Sequence, residues 1–178
     1  MTSPRILIAC IGNIFLGDDA FGVEVARRLV GMAWPAGVHV EDFGIRGIDL
    51  AYSLLDEKYD VTIFVDAVQR GQPPGTLYVI EPDLAEMTSQ NCQSTIDTHT
   101  MDPANVLRSA ASMGAQLGRI LLVGCEPGPL PPDDQMQLEL SEPVNAAVTE
   151  AVPLIRELVA KIFAEHLSDV EAIKEMSC

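Results

Sequence analysis

Apolar positions fall into two kinds of run along this chain. Five short runs, Arg5–Ile11, Val38–Phe43, Val61–Asp66, Thr76–Glu81 and Arg119–Cys125, have the length and β-branched content of strands. The first, third and fifth are almost continuously apolar, the pattern of strands covered on both faces. Helical spacing alternates with them. Phe21, Val25, Ala26, Leu29 and Val30 share one face, with Gly31 at the exit. Ile48, Ala51, Leu54 and Leu55 share another. Asp102-Pro103 reads as an N-cap followed by proline at the first helical position, opening a helix to about Met113. Val144, Ala147, Val148, Ala151, Leu154, Ile155, Leu158, Val159 and Ile162 describe a long closing helix, which Pro153 should kink.

Strand-helix alternation predicts an α/β fold: a single domain over residues 1–178, three layers deep (α/β/α), around a mostly parallel five-stranded sheet. The link from Asp66 to Thr76 is too short for a crossover helix and contains Gly71-Gln72-Pro73-Pro74-Gly75. The fourth strand is therefore expected to run antiparallel, near one edge. Residues 168–178 are expected to fray. Two long loops, Thr88–Met101 and Glu126–Gln137, have no architectural reason, and such loops are more often functional than accidental.

Charge narrows the partners. Eleven basic against 26 acidic residues leave a net −15, so nucleic acid is not an expected partner. No run is long and apolar enough to span a bilayer, and the start of the chain lacks the features of an export signal. Cys10, Cys92, Cys125 and Cys178 form no C-x-x-C pair, which fits reduced thiols in a cytoplasm.

The candidate chemistry lies where strands end. Asp18 and Asp19 follow the first strand, in Gly12-Asn13-Ile14-Phe15-Leu16-Gly17-Asp18-Asp19-Ala20-Phe21-Gly22. Asp66 ends the third, and His99 sits in the loop after the fourth. In open α/β sheets, ligands bind outside the carboxyl ends of the strands. If strands one and three are neighbours, Asp19 and Asp66 emerge together and the His99 loop can close over them. Two carboxylates and an imidazole suit zinc or nickel better than calcium or magnesium. Without a cation, two close carboxylates would share a proton. Each residue also has a plain structural role open to it. Asp18 or Asp19 can be an N-cap, Asp66 can cap the next turn, and His99 can be an ordinary surface side chain. His39 reads as a sheet residue and His166 as a charge near a helix C-terminus.

The motif Ile11-Gly12-Asn13-Ile14-Phe15-Leu16-Gly17-Asp18-Asp19-Ala20-Phe21-Gly22 resembles the opening of the [NiFe]-hydrogenase maturation endopeptidases. The resemblance continues through Asp42-Phe43-Gly44-Ile45-Arg46-Gly47, Val65-Asp66-Ala67, Pro74-Gly75-Thr76, the His99 loop and Val123-Gly124-Cys125-Glu126-Pro127, in order along nearly the whole chain. It implies a phosphorylase/hydrolase-like α/β domain. It further implies a peptidase, grouped with the aspartic type, that removes a C-terminal extension from the nickel-loaded precursor of a hydrogenase large subunit. The family's metal-contacting acid, Asp and His map onto Asp19, Asp66 and His99, with nickel supplied by the substrate. The implied partner is that precursor, and the expected state is a cytoplasmic monomer. Ala20 departs from the family, standing where many members carry glycine.

Other readings remain for these residues. The same three ligands would serve a non-catalytic nickel-binding maturation factor. Peptidyl-tRNA hydrolases share a strand, a Gly-Asn turn and a nearby acid and His, but a tRNA-handling surface should be basic. Nucleotide binding lacks its glycine motifs, and Asp18 and Asp19 would repel phosphate.

Overall fold

The computed structural model describes residues 3–84, 102–132 and 135–176. Five strands, β1 (Ile6–Ile11), β2 (Val38–Gly44), β3 (Val61–Ala67), β4 (Leu77–Ile80) and β5 (Arg119–Cys125), form one sheet in the order β2-β1-β3-β5-β4. The pairs β1·β2, β1·β3 and β3·β5 are parallel, and β4 runs antiparallel to β5 at the edge. The expected direction and edge position of β4 are thus found.

The continuous apolar runs have a direct cause. In β1, Ile6, Ile8 and Cys10 face one side, and Leu7, Ala9 and Ile11 face the other, as the twofold alternation of a strand requires. On the first side lie α1 (Phe21–Leu29) and α4 (Glu142–Met176). Phe21, Val25, Ala26 and Leu29 meet Val144, Val148, Ala151 and Ile155 there. On the second side α2 (Gly47–Asp56) and α3 (Pro103–Ser112) bring Leu50, Leu54, Val106 and Leu107 onto Phe43 and Phe64. All six residues of β1 are buried, so the strand is the centre of both cores.

Local signals act as read at α3. The Asp102 side chain accepts the Ala104 amide at 2.9 Å, and Pro103 opens the helix. The α2 face differs from expectation. Leu50, Ala51 and Leu54 are buried, whereas Ile48 is 59% exposed. The helix starts only at Gly47, so Ile48 lies in its first turn, at the rim beyond the sheet. Helix α4 runs unbroken through Pro153.

One irregularity matters for the rim. The β1·β2 register slips between Cys10↔Asp42 and Ile11↔Gly44, leaving Phe43 as the extra residue of a bulge. Such bulges re-aim side chains at strand ends. Gly44 then takes φ +53°, and its carbonyl accepts the Gly12 amide at 3.1 Å.

Candidate functional site

After β1 the backbone leaves the sheet in a tight sequence of turns. The Asn13 side chain accepts the Phe15 amide at 3.0 Å, an Asx turn. A single 3-10 turn, Gly17–Ala20, then feeds α1. Gly22 fixes how closely α1 seats on the sheet. A Cβ there would fall 2.0 Å from the Ile11 carbonyl oxygen and 2.4 Å from that of Val65. The turn is thereby held over the ends of β1 and β3 together. Ala20 takes φ −77° and ψ 2°, open to any residue, so nothing is lost where the family often has glycine.

Neither Asp18 nor Asp19 caps a helix, which corrects the N-cap reading of both. Asp18 is buried, and its carboxylate is fully occupied. It accepts the Gly128 amide at 2.7 Å, the Ser141 amide at 2.6 Å and the Ser141 hydroxyl at 2.8 Å. Ser141 in turn accepts the Asn145 amide and so opens α4. Asp18 therefore ties the turn after β1 to the loop after β5 and to the head of the last helix. Its role is structural, and only the fold reveals it, because its partners lie 110 and 123 residues away.

Asp19 points differently. The Asn13 amide reaches both its Oδ2 and its backbone oxygen, each at 3.2 Å. Burial pushes its pKa up, and the Asn13 bond offsets this in part. Asp66, last but one in β3, is 6% exposed. Among the described residues it accepts one hydrogen bond, from the amide of the next residue, Ala67, at 2.8 Å. Its pKa is driven well above the usual carboxylate range, first by burial, then by the charge of Asp19. The Ala67 bond opposes this, and the charge of Asp102 adds to it. No cation among the described residues counters the two acids. Asp19 and Asp66 thus meet at one rim, where the charge of Asp19 makes Asp66 harder to ionise.

His99 lies outside the described residues, as does the Thr88–Met101 loop. Among the described residues, no three His, Cys, Asp or Glu side chains cluster around a metal position. The nearest described point after His99 is Asp102, whose charge is felt at Asp66.

A third buried acid, Glu126, has no role legible in the sequence beyond its place at a strand end. It is 4% exposed and accepts the Arg70 amide at 2.8 Å, the Gly71 amide at 3.0 Å and the Tyr78 hydroxyl. These bonds, Tyr78's first, hold its carboxyl below the usual range. The link between β3 and β4 is thereby folded around one anion. The signal was the string of turn residues in that link, whose free amides need an acceptor. Cys10 and Cys125 are free and buried. Burial raises both thiols far from ionisation, so neither is a thiolate nucleophile. Cys92 and Cys178 lie outside the described residues. His39 is a β2 residue, as expected, set edge-on to the Tyr59 ring at 6.0 Å. No helix among the described residues is long and apolar enough to cross a membrane.

Comparison with known proteins agrees with this architecture. The HycI family of hydrogenase maturation proteases matches residues 23–158. The hydrogenase expression/formation protein HoxM of Azotobacter vinelandii is 33% identical over 162 residues, 90% of this chain and 75% of its own length. The crystal structure of a hydrogenase 2 maturation peptidase from a Thaumarchaeota archaeon superposes with a TM-score of 0.65 at 35% identity, covering 88% of this chain and 98% of its own. The hydrogenase maturating endopeptidase HybD of E. coli gives 0.71 at 27% identity, covering 88% and 93%. The chain belongs to the hydrogenase maturation protease family, whose members are peptidases.

Proposed function

We propose that this protein removes the C-terminal extension from a nickel-loaded [NiFe]-hydrogenase large-subunit precursor. Asp19, Asp66 and His99 would complete the coordination of the nickel that the precursor brings. One observation carries the reading. Asp66 is buried, uncompensated by any described cation, and strained further by the charge of Asp19. A protein that keeps two acids in this state has a place for a positive charge that arrives from elsewhere. The preference for a borderline ion rather than calcium comes from adding His99 to the two carboxylates. His99 is three positions before Asp102, a reach of about 10 Å of extended chain, and Asp102 is already within electrostatic range of Asp66.

The same state makes a checkpoint. With no cation present, the two acids favour retaining a proton, and the site is not competent. A loaded precursor supplies the charge that lets both ionise. Water held at a carboxylate then attacks the scissile carbonyl, the C–N bond breaks, and a proton passes to the leaving amine. This is the sense in which an aspartic-type grouping suits the chain, although its acids come from one domain. The free, buried Cys10 and Cys125 agree with work in a reducing compartment, the cytoplasm.

The test is a mass shift of the large-subunit precursor after incubation with the protein, with and without nickel. Loaded precursor should be shortened and nickel-free precursor should not. Asp19→Asn, Asp66→Asn and His99→Ala should each slow shortening by about 100-fold or more. Unchanged shortening by all three variants sinks the site assignment. Equal cutting of both precursors sinks the checkpoint. A protein that binds loaded precursor without shortening it is a nickel-binding maturation factor instead.

A further inference from the structure

Next to the turn that carries Asp19, the ends of β1 and β2 form a pocket of about 280 Å³. Ile14 and Phe15 come to it from the turn after β1, and Phe43 and Ile45 from the bulged end of β2. That volume falls just short of the ~300–1,000 Å³ of pockets that enclose a whole small molecule. It suits a large side chain. Ile14, Phe15 and Ile45 are 41%, 45% and 59% exposed around it, and Ile48, three residues on from Ile45, is also 59% exposed. Single exposed apolar residues are ordinary, but several around one concavity mark an interaction site.

One residue joins the pocket to the carboxylates. Asn13 lines it and gives its amide to Asp19. Its two charged lining residues are Asp42 and Arg46, which cancel, so an uncharged segment is the matching occupant. The Arg46 guanidinium is held at the rim by the backbone oxygens of Phe43, at 3.2 Å, and of Asp42. Its contact with Asp49 is long, 3.5 Å, and 57% of its side chain is exposed. A donor so placed is ready to meet a peptide carbonyl.

We infer that this pocket seats one bulky aliphatic or aromatic side chain of the precursor, from the uncharged stretch flanking the cut, while Arg46 donates to a carbonyl of the same stretch. The inference rests on the proteolytic reading above and adds a specificity subsite to it. Anchoring here holds the precursor close to Asp19 and Asp66 and adds to binding alike before and during the reaction.

The experiment is steady-state processing of nickel-loaded precursor at varied concentration. Phe15→Asp and Ile45→Asp each place a charge in the pocket. Each should raise KM about 10-fold or more and change kcat by less than about 3-fold, because the interaction lost is one of uniform binding. Ile45→Leu should restore the original KM. The exposed positions predict an unchanged Tm, which separates lost binding from lost folding. An alanine scan of apolar precursor residues within five positions of the cut should find one that raises KM to a similar extent. Its effect should not multiply with that of Ile45→Asp, as expected for two groups in contact. Normal cutting with an unmoved KM in both Asp variants, or no precursor residue coupled to Ile45, overturns the subsite alone. A wild-type chain that leaves the loaded precursor whole overturns the proteolytic reading, and the occupant with it.

Discussion

Two kinds of carboxylate share one rim of this sheet. Asp18 and Glu126 are each met by three or more donors, and they fasten loops far apart in sequence. Asp19 and Asp66 are met by few, and the charge of one burdens the other. Asp18 and Asp19 are consecutive residues, so residue type and position along the chain do not divide the two kinds. Donor count does. A carboxylate surrounded by amides is stable as an anion and has nothing left to offer a ligand. One that is buried but underserved costs stability and is available for chemistry, the usual division between scaffold and site.

The sharpest way to break this contrast is Asp66→Asn. Processing of loaded precursor should fall by about 100-fold or more. The folded protein without nickel should nevertheless be more stable than the parent, since the substitution removes a disfavoured charge. The sign follows from linkage. The folded-state pKa of Asp66 is raised above its ordinary value of 3.8, so the fold loses stability as pH rises from there through the raised value. The gain in Tm from Asp66→Asn should therefore grow as pH rises above 3.8 and vanish as pH drops below it. Thermal melts of both proteins across pH check it. A variant less stable than the parent at neutral pH would place Asp66 with the scaffold acids.

Asp18→Asn should do the reverse. An amide can accept at one oxygen but not at two, so at least one of the Gly128 and Ser141 donors is left short in a buried place. A loss of about 2–4 kcal/mol is expected, or roughly 5–15 °C in Tm for a chain of this size. The precursor should still be cut at temperatures where the variant is folded. A variant as stable as the parent, but inactive, would move Asp18 into the site.

How far these roles were legible depends on the range of the contact that creates them. The sheet was readable because burial on both faces leaves its mark within each strand, as in β1, and because the link between Asp66 and Thr76 is too short to cross over. Asp102 was readable as a cap because its partner, Ala104, is two residues away. Asp18 was not, since its donors come from the β5 loop and the head of α4. The outward turn of Ile48 escaped the helical pattern because the helix begins at Gly47, one residue earlier, beyond the edge of the core. Spacing alone reports which residues share a face, not where the face runs out of neighbours. The meeting of Asp19 and Asp66 was legible once β1 and β3 were taken as adjacent strands, which they are.

Glu126 gives the smallest effect and confines it to acid. Its carboxyl is held below the ordinary value of 4.5 by the Tyr78 hydroxyl and by backbone amides. A lowered carboxylate pKa supplies stability that is fully present above that ordinary value and lost as pH falls through the lower, folded one. Tyr78 itself is pushed up to about 12, with burial the main cause and the bond to Glu126 next, so the hydroxyl stays a donor throughout. Tyr78→Phe removes one donor and leaves the amides of Arg70 and Gly71 in place. The variant should match the parent in processing and lose part of its stability above pH 4.5. The two melting curves should converge at lower pH, where the parent's Glu126 is protonated too. This is opposite to Asp66→Asn, whose difference from the parent also closes in acid but from the stabilised side. Seeing both gaps close from opposite directions would separate the carboxylate that holds the rim together from the one whose charge the fold disfavours. A Tyr78→Phe gap that widens in acid would mean the bond serves the protonated carboxyl, and the division of roles at the rim would have to be redrawn.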